Sequence, residues 1–168
     1  MTPNEIIRSV LTFLVYVIFQ VLILRQLVLF DSAFCFLYIA AILFLPYEID
    51  AVVLLFICFV TGLIIDSFYD TFGVHAAATV LVGYLRPIVI NAQFAQKNLD
   101  TRLELTLPQL GFVPFLAYVG PLVLIHHAAL FFIETNNIGL FLPTILKIIA
   151  SSLFTIVGIF LVQLFSKR

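Results

Sequence analysis

Apolar runs long enough to cross a lipid bilayer follow one another along almost the whole chain, with only short polar breaks between them. A spanning helix needs about 20 predominantly apolar residues, fewer where the membrane thins or end residues snorkel. Six segments meet that requirement: 7–24, 28–46, 51–67, 74–90, 111–133 and 140–165. The chain is 64% hydrophobic and 10% charged, whereas soluble domains carry about 25% charged residues. The expected fold class is therefore an all-α integral membrane protein with six transmembrane helices, forming one polytopic domain over 1–168 in the lipid bilayer. The first run follows Arg8, is long and lacks an A-x-A site, so it reads as an uncleaved helix.

The breaks set the order of the helices. Asp66–Asp70 and Gly73 suit a tight turn between 51–67 and 74–90, and 134–139 suits a second turn. The polar stretch 91–110, with Lys97, Asp100, Arg102 and Glu104, reads as an interfacial or irregular connector. With six spans both termini share a side. That side would hold Arg8, Arg86, Lys97, Arg102, Lys167 and Arg168, against Arg25 and Lys147 opposite. Basic residues favour the cytoplasmic side of short loops, so both termini are expected in the cytoplasm. Trp is absent, which leaves Tyr16, Tyr38, Tyr47, Tyr69, Tyr84 and Tyr118 as the Tyr anchors for an interfacial belt.

Ionisable groups inside spans are costly and face a protein interior, a cavity or a partner. His75, Thr79, Gly83 and Arg86 step by four, four and three along one helical face. That stripe fits a packing seam with neighbouring small residues such as Ala77, a polar lock, or a lined pocket. Gly62, Asp66 and Asp70 are four apart, and Asp66 is placed to bond free amides or His75 at the start of the next helix. His126 and His127 are adjacent and point apart, which is wrong for chelating one metal; His127 shares a stripe with Gly120 and Glu134. Lys147 is expected to pair with Glu134 or Asp66 in a polar cluster on the outward half. Tyr16 and Gln20, with Ser9 and Thr12, give the first helix a polar face for intramolecular packing or for a partner helix.

Cys35 and Cys58 lie inside apolar runs and read as small buried hydrophobes. There is no H-E-x-x-H, no C-x-x-C and no hydrolytic acid cluster. No catalytic residue, cofactor or metal site is expected, and the net charge of −1 gives no argument for nucleic acid.

The run Gly62–Leu63…Asp66…Gly73–Val74–His75–Ala76–Ala77–Ala78…Leu85–Arg86–Pro87 resembles the rod shape-determining protein MreD family. So do Gln20–Leu24, Leu29–Phe30 and Leu45–Pro46. The pattern Leu124–His127 with Phe131–Glu134 is similar to members from Bacteroidota-type bacteria. Arg25–Gln26 departs from the pattern, standing where an Asn-containing turn is expected. The resemblance implies a non-catalytic scaffold in the bacterial inner membrane, with a fold similar to the S components of energy-coupling-factor transporters. It also implies association with MreC, and through it with the MreB filament and with RodA and a class B penicillin-binding protein. The competing expectation is a substrate-binding membrane component of a vitamin-type transporter, its outward polar cluster lining a pocket.

Overall fold

The computed structural model describes residues 3–94, 104–135 and 138–165. Lys97, Arg102, Lys167 and Arg168, and the side chain of Arg8, lie outside what is described. The elements run α1 (Pro3–Leu22), β1 (Val28–Leu29), β2 (Ala33–Phe34), α2 (Ile39–Leu43), α3 (Ala51–Tyr69), α4 (Val74–Phe94), α5 (Leu107–Leu110), α6 (Phe112–Thr135) and α7 (Phe141–Phe165), with 3-10 turns at Leu24–Gln26 and Ile138–Leu140. Four helices, α3, α4, α6 and α7, are long and apolar enough to cross a membrane. They correspond to the apolar runs 51–67, 74–90, 111–133 and 140–165. The outer surfaces of α1, α3 and α7 are lined with Leu, Ile, Val and Phe, as expected of faces turned to lipid.

The segment 28–46 is not the helix that its hydropathy suggests. It begins as a two-stranded antiparallel ribbon, Val28 opposite Phe34 and Leu29 opposite Ala33. It continues through Cys35 and Phe36, turns at Leu37 and Tyr38, and closes with the five-residue helix α2. Residues 35–43 are all buried. A stretch covered by protein on every side can be apolar throughout whatever its backbone conformation, so hydropathy alone does not tell such a strand from a helix.

Contacts at both ends fix its path. Gln20 near the end of α1 donates to Tyr69 Oη at 2.7 Å, and Arg25 pairs with Asp70 at 3.5 Å, so α1 ends beside the α3–α4 turn. At the other end Tyr47 donates to Asn91 in the last turns of α4 at 3.2 Å. Residues 26–50 therefore run from one end of the bundle to the other, and their middle part, 35–43, passes through its interior.

The α3–α4 hairpin is the most extensive helix contact, and glycine permits it. A Cβ on Gly62 would lie 2.5 Å from Thr79 Oγ1 and 2.6 Å from Ala76 N. A Cβ on Gly83 would lie 2.5 Å from Cys58 Sγ. Thr79 Oγ1 sits 2.9 Å from the Cys58 carbonyl of α3 and 2.7 Å from the His75 carbonyl of its own helix. Backbones this close gain the packing and hydrogen bonding that replace hydrophobic transfer in lipid. Ala77 falls on the opposite arc with Leu81, Tyr84 and Ile88 and faces outward, while Ala76 and Ala78 are the buried alanines.

Gly62→Ala places a methyl against α4 backbone that cannot yield, and is expected to destabilise the bundle by about 1–3 kcal/mol. Gly120→Ala, whose new Cβ meets only Leu116 Cδ1 at 4.0 Å, should be near neutral. Thermal unfolding of the purified variants in detergent checks the contrast.

Candidate functional site

The polar side chains inside the bundle converge on the irregular segment. An extended strand presents alternate amides and carbonyls to opposite sides, and here each side has its own helix. On one side Phe34 N donates to Ser151 Oγ and Phe36 N to Thr155 Oγ1, both at 3.0 Å. Four helical residues rise about 6 Å and two strand residues about 6.6 Å. Hydroxyls four apart on α7 therefore match amides two apart on the strand. On the other side Gln20 of α1 donates to Cys35 O at 3.0 Å and accepts from Tyr38 N at 3.2 Å. Gly158 keeps α7 close, since a Cβ there would lie 3.2 Å from Cys35 Sγ.

At the hairpin end of the bundle lies a histidine cluster. Tyr38 Oη is 3.0 Å from His75 Nδ1 and 2.7 Å from His126 Nε2. One hydroxyl proton serves only one of these nitrogens, so the other nitrogen donates to the oxygen. His127 Nδ1 is 2.8 Å from Val123 O and donates to it. Its Nε2, 3.1 Å from Thr155 Oγ1, takes the threonine proton. The Thr155 oxygen thus receives the Phe36 amide and passes its own proton to His127. The Phe36 ring packs against His75, His126 and His127 at centroid distances of 5.1, 6.1 and 5.4 Å. His126 Nδ1 is buried and has no partner among the described residues.

Asp66 sits at the mouth of this cluster and is 3% exposed. It accepts from His75 N through Oδ1 and from Ala76 N through Oδ2, each at 3.0 Å, and from the Thr71 hydroxyl. These amides are among those that a helix start leaves open, and the carboxylate is well placed against the helix dipole. Asp70 (φ 54°) and Gly73 (φ 80°) turn the chain between the two helices.

At the opposite end of the bundle Arg86 is 1% exposed. Its Nε donates to Tyr118 Oη at 3.0 Å, and its Nη2 reaches the carbonyls of Leu43 and Leu45. Tyr118 in turn donates to Leu43 O at 2.8 Å. Those carbonyls lie at and just beyond the C-terminus of α2, where a cation is favoured. Arg86 thus lies inside α4, on the stripe it shares with His75, Thr79 and Gly83, and turns its guanidinium into the bundle.

The structure thus brings together Asp66, His75, His126, His127 and Gln20 near Tyr38, and keeps Arg86 apart at the far end. Lys147 does not join the buried set. It pairs with Glu134 at 3.4 Å on the surface, and its ammonium lies over the rings of Phe34 and Phe131 at 4.8 and 4.3 Å. Asp66 is occupied by α4 amides instead. Gly62, Thr79 and Gly83 are consumed in the α3 contact, and Tyr16 and Gln20 are buried inside. Gly83 also lines an open groove between α3 and α4, while Gly62, Thr79, Tyr16 and Gln20 are buried in contacts within the bundle. Tyr38 and Tyr118 are core hydrogen-bonding residues, not interfacial anchors. Their mid-run positions in the sequence carried a hint of this.

Asp66→Ala removes both amide contacts and is expected to cost roughly 2–3 kcal/mol of stability. Glu134→Ala breaks only an exposed pair and should cost under about 1 kcal/mol. Chemical or thermal unfolding of the two variants side by side measures the difference.

No family model, curated protein or solved structure matches the chain.

Proposed function

We propose that this chain is a non-catalytic scaffold of the MreD type, crossing the inner membrane of a bacterium six times with both termini in the cytoplasm. In this reading residues 28–46 form the second crossing, with the protein-covered stretch 35–43 at its centre, since non-helical backbone at membrane depth is tolerated where protein buries it. The fold is read as an S-component-like bundle. Its partner is MreC, and through MreC it connects to the MreB filament and to RodA with a class B penicillin-binding protein.

One observation carries the reading. The polar groups that a transporter would aim at a solute are bonded to the protein's own chain. Gln20, Ser151, Thr155 and Arg86 hold the backbone of residues 34–45, Asp66 holds α4, and His75 and His126 hold Tyr38. Intramembrane charge spent in this way fixes a shape, and a fixed shape is what a scaffold contributes.

Affinity purification from native membranes followed by mass spectrometry tests the proposal. Recovery of MreC and RodA is the expected result. Recovery of a transporter ATPase pair in their place would assign the bundle to solute uptake.

A further inference from the structure

At the end of the α3–α4 hairpin that holds the start of α3 lies an open groove of about 250 Å³ lined by Ala51, Leu54, Leu55, Gly83, Tyr84, Pro87 and Ile88. The groove is apolar, but its wall contains a backbone defect. Pro87 lies inside α4 and has no amide hydrogen for the residue four before it. That residue is Gly83. A helical carbonyl points along the axis towards residue i+4, so the Gly83 oxygen points at the Pro87 ring, and both residues line the groove. No side chain among the described residues donates to it.

The same defect occurs once more, and there it is repaired. Pro121 lies inside α6 and frees the carbonyl of Ala117, which receives the side-chain amide of Gln93. Proline is accommodated in membrane helices when neighbours satisfy the freed group in this manner. At Gly83 no described side chain supplies such a neighbour. The oxygen carries partial negative charge, and the complementary occupant carries a hydrogen-bond donor. An acyl chain has none and would leave the carbonyl at a cost.

Resting on the scaffold reading, the geometry points to this groove as the seat of a partner's transmembrane helix that donates a serine or threonine hydroxyl to the Gly83 carbonyl. Hydroxyl residues suit close helix crossings because they are small and bond across the interface. Gly83 provides the low floor, while Tyr84 and Ile88, 61% and 52% exposed, form the rim.

The test is co-purification of the cognate full-length MreC with tagged full-length chain in nanodiscs. Pro87→Ala restores an amide to α4, satisfies the carbonyl internally and leaves the bundle at least as stable, yet should weaken MreC capture roughly threefold to tenfold. Ile88→Trp, which fills the groove from its exposed rim, should do the same. Pro121→Ala, where Gln93 already serves the carbonyl, should leave capture unchanged. Replacing the hydroxyl residues of the MreC helix one at a time by Ala or Val should reproduce the loss at one position. If wild type retains MreC and both groove variants retain it equally, the groove is overturned while the scaffold reading stands. If wild type does not retain MreC, the scaffold reading fails and the groove assignment falls with it. If Ile88→Trp alters only self-association of differently tagged copies, or only bound lipid, the occupant is a second copy or an acyl chain, and the assignment is wrong.

Discussion

Main-chain amides and carbonyls taken out of water need partners within the protein, and residues 34–45 find many of theirs on the side chains of the surrounding helices. Everything else in the bundle is arranged around this requirement. The ribbon pairs with itself only at Val28–Leu29 and Ala33–Phe34. Beyond it, the strand edge is completed by side chains. Ser151 and Thr155 serve one edge, Gln20 the other, and Arg86 with Tyr118 closes the carbonyl end. These donors and acceptors come from α1, α4, α6 and α7, so the buried segment ties together helices that would otherwise meet mainly through apolar contact.

The arrangement explains why so few polar residues suffice. Gln20 uses both amide hydrogens and its oxygen. Thr155 serves both the strand and His127. Tyr38 caps the start of α2 and at the same time bridges α4 and α6 through His75 and His126. Networks of this type hold a unique packing because a half-satisfied arrangement costs more than an apolar one. The two surface ion pairs, Arg25–Asp70 and Lys147–Glu134, are minor by comparison, since screened pairs contribute little.

Much of the fold was legible in the order of residues, and the failure is localised. Four apolar runs marked α3, α4, α6 and α7 to within a few residues at most ends, and Gly73 with Asp66–Asp70 marked the hairpin. The run 28–46 misled because its central residues, 35–43, are buried on all sides, which removes the polar face that would have announced their conformation. Arg86 was legible as a member of the stripe His75, Thr79, Gly83 and Arg86, but its partners were not, because the Leu43 and Leu45 carbonyls lie far away in the chain.

The amino-acid sequence alone determined that this chain belongs in lipid and where its long helices lie, because transfer free energy depends on composition summed over about 20 consecutive residues. It also fixed the stripes that could carry polar contacts, because helical phase follows from spacing. Tertiary structure decided which groups meet. Whether Asp66 faces Lys147 or the amides of α4, whether Gln20 faces a partner or residues 35–38, and which proline-freed carbonyl is repaired all depend on pairings between residues distant in the chain. Local propensity does not encode such pairings. They follow from packing and from the need to leave no buried main-chain group unbonded.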